Sequence, residues 1–231
     1  MNVLVACEES QEVCKAFRAK GHNAFSCDLL DCSGGHLEWH IIGDALKILS
    51  PEMCADNTRS IWFVTSDGMF HSLPRWDLII AHPPCTYLTI TGNRWFNIEK
   101  YGEKAIERIK ERELAAEFFM QFVYADCDKI AIENPIGYIS TYYRKPDCIV
   151  QPYQFGDPHK KSTCLWLKNL PPLQPTNIVE PEVVYYKNGK SDSPWHMNTM
   201  HLPKEERSRL RSKTFPGIAK AMADQWGGET Q

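Results

Sequence analysis

The sequence lacks the segments that would direct a chain into or across a membrane. It has no uninterrupted run of about 18 apolar residues, the length that a membrane-spanning helix needs. Its first residues, MNVLVACEESQ, include an acidic pair where a secretory signal peptide carries basic residues. From these absences we expect a cytoplasmic protein with no membrane partner.

Closely spaced cysteine pairs are also lacking. The nine cysteines are an odd number, and no CxxC pair occurs among them. A zinc site built from Cys27, Cys32, His36 and His40 is therefore the weaker interpretation, because zinc sites usually contain such close pairs. We predict reduced, unpaired thiols and no metal ion.

Positive charge is not in excess, since 26 Lys and Arg stand against 29 Asp and Glu and the formal net charge is -3. This balance excludes a protein that coats nucleic acid nonspecifically, but it permits a local basic patch. One candidate patch combines Arg144 and Lys145 with residues 159–161, and another runs from Lys204 to Lys213. Glutamates interrupt the second run, so a solvated helix face explains it equally well.

The order of apolar segments predicts the fold class. Short strand-like runs such as NVLVA (2–6), NAFSC (23–27), WDLIIA (76–81) and KIAI (129–132) alternate with helical patterns, the longest at 103–125. We therefore predict one domain over residues 1–231, an α/β fold with a doubly wound, mostly parallel sheet and helices on both faces. Ligands of such sheets bind beyond the carboxyl ends of the strands, which is where residues 28, 44, 82–85 and 133 fall.

Two motifs at these strand ends carry chemistry. HPPC follows the apolar run WDLIIA, and the two prolines hold Cys85 in a stiff, extended backbone. ENP follows the next run, KIAI, so Glu133 is expected to face the same crevice as Cys85. An ordinary turn cysteine and a turn glutamate are the plainer interpretations of each motif alone, and the pairing argues against both.

PPC followed by ENP, with GD and a strand-end acid upstream, resembles the Pro-Cys and Glu-Asn signatures of the DNA (cytosine-5) methyltransferase family, here a compact phage-type member. The resemblance spans nearly the whole chain, although only the Cys85 and Glu133 signatures are specific. It implies a sheet of the S-adenosylmethionine-dependent methyltransferase type, S-adenosylmethionine as cofactor and a flipped cytosine of DNA as partner. It also implies that a reduced target-recognition region lies around 170–207.

The resemblance assigns roles by position. Cys85 would be the covalent nucleophile and Glu133 its acidic partner, and both would be catalytic. The expected cofactor-binding residues are Cys7, Glu8, Ser10, Gln11, Asp28, Leu29, Asp44, Pro83 and Thr214. The expected substrate-binding residues are Pro84, Thr86, Asn134, Arg94, Trp95, Lys161 and Thr163.

The chain departs from the family pattern in three places. ACEESQ replaces a first loop rich in phenylalanine and glycine, and HKKST (159–163) stands where the family has an RxR signature. TFPGIAKAMA resembles a degenerate form of the closing cofactor motif, with Thr214 near the expected asparagine.

Other functions fit parts of the same pattern. Cytosine in RNA or in a free nucleotide, or another one-carbon donor, would use the same Cys85 and Glu133. Methylation of an exocyclic amine fits less well, because HPPC lacks the aromatic residue that such enzymes carry after the two prolines. A methyltransferase-like DNA-binding protein without turnover would explain the altered cofactor motifs, but retention of both catalytic signatures argues against it.

Overall fold

The computed structural model describes residues 1–186, 189 and 191–228. The strands are β1 (Asn2–Ala6), β2 (Asn23–Asp28), β3 (His40–Ile42), β4 (Glu52–Met53), β5 (Arg59–Val64), β6 (Phe70–Leu73), β7 (Leu78–Ala81), β8 (Ile130–Pro135), β9 (Cys148–Val150), β10 (Thr163–Lys168), β11 (Val184–Tyr185) and β12 (Ser191–Asp192). The α-helices are α1 (Glu12–Ala19), α2 (Ile98–Tyr101), α3 (Glu103–Val123), α4 (Ile139–Tyr142), α5 (Pro194–Asn198), α6 (Lys204–Ser212) and α7 (Pro216–Trp226).

The central sheet has seven strands in the order β3-β2-β1-β7-β8-β10-β9. The pairings from β3 to β8 are parallel, and β10 runs antiparallel to both of its neighbours. Order reverses between β1 and β7, which is the switch point of a doubly wound sheet. The predicted fold class, an α/β fold with a doubly wound, mostly parallel sheet and helices on both faces, is confirmed.

Successive side chains along each strand point to opposite faces of the central sheet, so the core has two layers. Leu4, Ile79 and Ile132 face the layer that contains Phe119 and Phe122 of α3. Their neighbours, such as Val5 and Ile80, face the layer that contains residues of α1 and α7. The strand β7 is fully buried on both faces, which is why its sequence LIIA is continuously apolar instead of alternating.

A small antiparallel sheet, β4-β5-β6, is inserted between β3 and β7 and was absent from the predicted elements. In β5, Ile61 and Phe63 are buried while Trp62 and Val64 are exposed, so the strand shows no polar face that would reveal it in sequence. The Phe63 ring packs 4.9 Å from Phe25 of β2, measured between ring centroids. The insert is therefore held by tertiary packing on the central sheet.

The segment HIIGDALKIL (residues 40–49) contains a strand and a short turn. Its first residues form β3, and residues 45–48 form a short 3-10 turn instead of an α-helix. Asp44 precedes that turn, and its side chain accepts a hydrogen bond from Leu46 N at 3.0 Å. Aspartate favours such local caps over helix interiors, which accounts for the early stop.

The cysteines form no disulfide bonds, and the candidate metal ligands are not clustered among the described residues. All nine cysteines are free. His40, one residue of the weighed zinc cluster, contacts Ser26 Oγ at 2.8 Å and the Leu30 carbonyl at 2.9 Å through its two ring nitrogens. Across residues 1–186, 189 and 191–228, no group of three or more His, Cys, Asp or Glu is arranged to hold a metal ion. Among the same residues, no helix is long and apolar enough to cross a membrane.

The region predicted to recognise the target, around 170–207, contains little regular structure. An extended segment leads to the two-stranded β11-β12 ribbon, followed by α5 and the first residues of α6. Arg211 of α6 donates to Thr199 Oγ1 at 2.8 Å and to the His196 carbonyl at 2.9 Å, so the two helices are joined. Target recognition by this region stays a prediction.

Trp76 joins the insert to the central sheet. It is 1% exposed, and its Nε1 donates to the Ile48 carbonyl at 2.6 Å. In Trp76→Phe, the carbonyl would lose its donor and the smaller ring would leave a cavity, so we expect the free energy of unfolding to fall by about 2–4 kcal/mol. Urea denaturation measures this change. Trp62→Phe, on the exposed face of β5, is the control and should change the stability by less than about 0.5 kcal/mol; equal effects of the two variants would contradict this account.

Candidate functional site

Cys85 lies just beyond the carboxyl end of β7, on an exposed turn. His82 N donates to the Ala6 carbonyl at 2.9 Å, which extends the pairing of β1 and β7 by one residue. Two prolines follow, and then the Cys85 carbonyl accepts hydrogen bonds from Leu88 N at 2.9 Å and Thr89 N at 3.1 Å. The chain therefore leaves the sheet in a fixed direction, and it presents the thiol at the edge where ligands of such sheets bind.

Glu133 occupies the matching place on the neighbouring strand. Ala81 of β7 pairs with Ile132 of β8, so His82 and Glu133 follow side by side. His82 Nδ1 lies 3.5 Å from Glu133 Oε2, and the two side chains are 7% and 17% exposed. Neither ring nitrogen of His82 has a hydrogen-bond partner among the described residues, because the approach to Glu133 is close but poorly aligned.

Asn134 ties the two strand ends together. Its Nδ2 donates to the Pro83 carbonyl at 2.9 Å, while its Oδ1 is buried and accepts no hydrogen bond from the described residues. The sequence-based expectation made Asn134 a substrate-binding residue. In the structure its amide nitrogen braces the turn that carries Cys85, and substrate binding by Asn134 stays a prediction.

Further along the chain, two backbone hydrogen bonds join the loop after Cys85 to the loop after Glu133. Tyr138 N donates to the Leu88 carbonyl at 2.7 Å, and Ile90 N donates to the Ile136 carbonyl at 3.1 Å. Gly137 makes this approach possible, because a Cβ built on it would lie 1.9 Å from the Leu88 carbonyl oxygen. The loop that follows the nucleophile is thus fixed to the loop that follows the acid.

Lys161 brings a positive charge to the same place. Its Nζ donates to the carbonyls of Arg211 at 2.9 Å and Lys213 at 3.4 Å, near the end of α6. Thr163, two residues later in β10, is buried and donates to the Lys161 carbonyl at 3.3 Å. Lys161 therefore links the C-terminal helices to the site, and its charge acts on both Cys85 and Glu133.

The charges set opposite protonation states for the two catalytic candidates. Although the turn is exposed at its surface, partial desolvation of the thiol and the negative charge of Glu133 raise the pKa of Cys85, and Lys161 opposes them only in part. Burial also favours protonation of Glu133, but contact with His82 and the charges of Lys161 and His82 outweigh it and hold the pKa of Glu133 below its ordinary value. The resting site therefore contains a neutral thiol and a carboxylate.

In the first loop, Glu8 is turned towards the protein. Its carboxylate accepts hydrogen bonds from Val13 N at 2.6 Å and Cys14 N at 3.2 Å, so it caps the N-terminus of α1. Burial raises its pKa to about 7, although these hydrogen bonds and the charge of His82 oppose the rise. Glu8 thus stabilises the helix that shapes the loop.

Gln11 is likewise committed to internal contacts. Its Oε1 accepts from His36 N at 3.0 Å, and its Nε2 donates to the His36 carbonyl at 2.8 Å and to Ser26 Oγ at 3.2 Å. Ser10 is buried beside it, and a Cβ on Gly34 would lie 2.6 Å from the Ser10 carbonyl oxygen. Cys7 and Gln11 both have left-handed φ values, 60° and 59°, which give the loop its tight path. The side chains of Glu8 and Gln11 are used in contacts that stabilise the loop. A cofactor bound here would therefore be contacted by the loop backbone.

The carboxyl ends of β2 and β3 bring together the other expected cofactor residues. Asp28 pairs with Ile42, and Asp44 follows two residues later. Leu30 N donates to Asp28 Oδ1 at 3.0 Å, and burial raises the pKa of Asp28. Leu29 is 74% exposed beside it. Two carboxylates next to exposed apolar side chains fit a ligand that combines hydroxyl or amine donors with a flat apolar ring, as S-adenosylmethionine does.

The remaining predicted residues lie at the rim. Pro83 is buried while Pro84 and Thr86 are exposed, on either side of Cys85. Arg94 and Trp95 lie further along the same loop, with the guanidinium carbon 4.6 Å from the Trp95 ring centroid. Thr214 is half-buried just before α7. Among the predicted residues, those at the strand ends share one edge of the sheet, and β1 separates the β2-β3 group from the Cys85 group.

Sequence reasoning assigned no role to His82, although the residue begins the HPPC motif. A histidine that leads directly from a buried strand into the nucleophile turn was the available signal. Its position against Glu133 could not be derived without the strand register.

Comparison with known proteins gives only distant likenesses. No model of a protein family matches the chain, and no curated protein matches it. An E. coli prophage protein assigned as a DNA modification methyltransferase is 14% identical, with a TM-score of 0.44 over 88% of this chain and 56% of that one. A methyltransferase of Entamoeba histolytica is 11% identical, with a TM-score of 0.37 over 79% of this chain and 58% of that one. The chain therefore spans little more than half the length of either protein, and the site itself has to carry any argument about function.

The charges around Cys85 can be tested by alkylation. In Glu133→Gln, loss of the negative charge should lower the pKa of Cys85 and move the midpoint of its reaction with iodoacetamide to lower pH. In Lys161→Met, loss of the positive charge should move the midpoint to higher pH. Peptide mass spectrometry would follow Cys85 separately, with Cys54 of the inserted sheet as the internal control. An unchanged midpoint in Glu133→Gln would show that the carboxylate does not act on the thiol.

The tie at Gly137 can be tested by adding one methyl group. In Gly137→Ala, the new Cβ would overlap the Leu88 carbonyl and separate the two loops, so we expect the free energy of unfolding to fall by about 1–3 kcal/mol. Gly43→Ala is the matched control, because a Cβ there has no atom within 4 Å. Urea denaturation of both variants gives the comparison, and similar stabilities would mean that the two loops are not closely tied.

Proposed function

We propose that this protein transfers a methyl group from S-adenosylmethionine to carbon 5 of cytosine in DNA, through a covalent adduct of cytosine with Cys85. The observation that carries the proposal is the placement of the Cys85 thiol just after β7 and of the Glu133 carboxylate on β8 at the end of its pairing with β7, close enough for the charge of one to alter the pKa of the other. A nucleophile and an acid in one crevice are what this reaction requires.

Cytosine carbon 5 is a weak nucleophile until sulfur adds to carbon 6. The S–C6 bond forms as the C5–C6 double-bond electrons move toward C4 and those of the C4–N3 double bond move onto N3. N3 takes up a proton, and the ring becomes an enamine; its carbon 5 would bond to the methyl carbon as the sulfur–methyl bond of the donor breaks and leaves a neutral thioether. Loss of the carbon 5 proton then regenerates the double bond, expels the Cys85 sulfur and returns the N3 proton to the site.

Glu133 manages the proton in this sequence. Because the resting thiol is neutral and the resting Glu133 is charged, the thiol proton has to leave before sulfur attacks, and N3 has to gain one. Glu133 is the carboxylate beside both positions, so we assign it the transfer from sulfur to N3 and a hydrogen bond to the exocyclic amine. The positive charge of Lys161 offsets the negative charge in the crevice while this proton moves.

The cofactor supplies an electrophilic methyl group. Asp28 and Asp44 would hold its ribose hydroxyls and adenine amine, Leu29 would cover the adenine, and Pro83 would line the side nearest the nucleophile. The backbone of residues 7–11 and Thr214 would surround the methionine moiety. This assignment differs from the sequence analysis in one respect, because the Glu8 and Gln11 side chains are occupied within the protein.

DNA would approach across the exposed rim formed by Pro84, Thr86 and the loop that carries Arg94 and Trp95. The target base has to leave the helix to reach Cys85, as in other enzymes that act on a base. Basic side chains of α6, which Lys161 joins to the site through the Arg211 carbonyl, would contact phosphates.

Nucleoside mass spectrometry of DNA from cells that express the protein tests the proposal. We expect 5-methyldeoxycytidine with the wild-type chain and none with Cys85→Ala. Glu133→Gln should lower the rate by at least about 100-fold, as loss of proton transfer typically does. Cys54→Ala removes a thiol from the inserted sheet and should retain activity.

The same experiment separates the alternatives. A different mass on carbon 5 would indicate another one-carbon donor, and modified cytosine in RNA or in the nucleotide pool alone would change the substrate. Cofactor binding by calorimetry without any product would favour a non-catalytic DNA-binding protein. An active Cys85→Ala variant would rule out the covalent mechanism.

A further inference from the structure

A cavity of about 660 Å³ opens between the loop after the nucleophile and helix α3. It contains none of the residues that we assign to the catalytic pair or the cofactor. Its lining residues are three aromatic side chains, two basic ones and two acidic ones: Tyr87, Trp95, Tyr101, Lys104, Arg108, Glu107 and Glu111. The volume is typical of sites for small organic ligands or a single base.

The cavity walls are held in place by arginines of α3. Arg112 Nε donates to the Tyr87 carbonyl at 3.1 Å, and its terminal nitrogen donates to Asn93 Oδ1 at 2.8 Å. The same guanidinium carbon lies 3.2 Å from the centroid of the Phe96 ring. These contacts fix the loop on the helix, so the space between them is formed before any ligand binds.

The aromatic side chains offer flat surfaces to a ligand. Trp95 is 41% exposed, and its ring centroid lies 5.0 Å from that of Tyr101. Tyr87 lies opposite, beneath the Arg108 guanidinium at 4.9 Å. Aromatic and arginine surfaces of this kind stack on nucleic-acid bases, each base contributing about 1–3 kcal/mol.

The charges favour a neutral base over a phosphate. Lys104 and Arg108 are balanced by Glu107 and Glu111 in the same lining, so the cavity has no net attraction for an anion. Arg108 donates to the Thr86 carbonyl at 3.4 Å through a terminal nitrogen, whereas its Nε is buried without an acceptor among the described residues. A ligand that accepts from arginine and also donates to carboxylates would satisfy both kinds of lining residue.

Guanine has this combination. Its O6 and N7 accept hydrogen bonds, the usual pairing with arginine, and its N1–H and N2–H groups donate to a carboxylate when the base is unpaired. Adenine presents neither O6 nor the N1–H donor, and cytosine has a single exocyclic amine. We infer that this cavity binds an unpaired guanine of the DNA substrate, stacked on Trp95 and hydrogen-bonded by Arg108 and the two glutamates.

The position of the cavity fits a neighbour of the target. Tyr87 is two residues from Cys85, a chain separation of at most about 7 Å. A guanine held there would place the adjoining nucleotides of the same strand at the nucleophile. The inference rests on the proposed function only in taking DNA as the substrate.

Binding of cytosine-free oligonucleotides tests the inference without any turnover. Fluorescently labelled single strands of thymidine with one central guanine, inosine or adenine would be titrated with the full chain and followed by anisotropy. Inosine lacks only the N2 amine, so guanine should bind about tenfold more tightly than inosine, the effect of about 1.4 kcal/mol. Adenine should bind no more tightly than inosine.

Variants locate the preference in the cavity. Glu107→Gln combined with Glu111→Gln should bring the guanine-to-inosine ratio close to one. Glu113→Gln combined with Glu117→Gln removes the same two charges from α3 outside the cavity and should keep the ratio. Trp95→Ala should weaken binding of all three probes roughly tenfold, and Trp95→Phe should restore it.

Equal affinity for guanine and inosine, or no measurable binding, would overturn the inference. So would a guanine preference that survives the Glu107 and Glu111 substitutions, or an unchanged affinity in Trp95→Ala. Because the probes contain no cytosine, a guanine preference without methylation of cellular DNA would support the cavity and reject the proposed function. Methylation of cellular DNA without a guanine preference would support the proposed function and reject the cavity as a guanine site.

Discussion

The parallel pairing of β7 with β8 is the constraint on which the candidate site depends. The pairing ends at Ala81 and Ile132, so that His82 and Glu133 follow side by side, although β8 itself continues to Pro135. The Asn134 amide then carries the alignment past the last strand residue by its hydrogen bond to the Pro83 carbonyl. A buried carbonyl that lost this donor would cost about 1–3 kcal/mol, so the brace contributes to folding as well as to the position of Cys85. The Asn134 amide and the Pro83 carbonyl therefore contribute both to the stability of the fold and to the position of Cys85.

The long, strongly patterned elements could be predicted from sequence, and the insert could not. The run that became β1 has the predicted bounds, and those that became β2 and α3 differ from theirs by one or two residues at one end, because such apolar patterns are specified locally. The β4-β5-β6 sheet has strands of two to six residues, and it is held by the packing of Phe63 and Trp76 against Phe25. Such contacts join residues about 40 to 50 positions apart, and no local pattern contains them.

The candidate site was predictable in its composition more than in its arrangement. HPPC and ENP identified Cys85 and Glu133 because each motif follows a buried strand. The orientation of the first loop was not accessible, since it depends on the left-handed φ values of Cys7 and Gln11. Those two backbone conformations turn polar side chains inward, where Glu8 caps a helix and Gln11 holds a loop. The effect of Lys161 on the thiol likewise depends on how the C-terminal helices pack.

The close approach at Gly137 divides the loop after the nucleophile into two mechanical units. Residues 85–90 are joined by backbone hydrogen bonds to the segment after Glu133, so they move with the sheet. Residues 91–101 are held to α3 mainly by arginine side chains, whose stacking and hydrogen bonds compete with water and with a polyanion. A ligand bound in the cavity would therefore contact the outer unit and α3 without displacing the thiol. Changes in the outer unit can alter which ligand is bound while the turn that carries Cys85 stays in place.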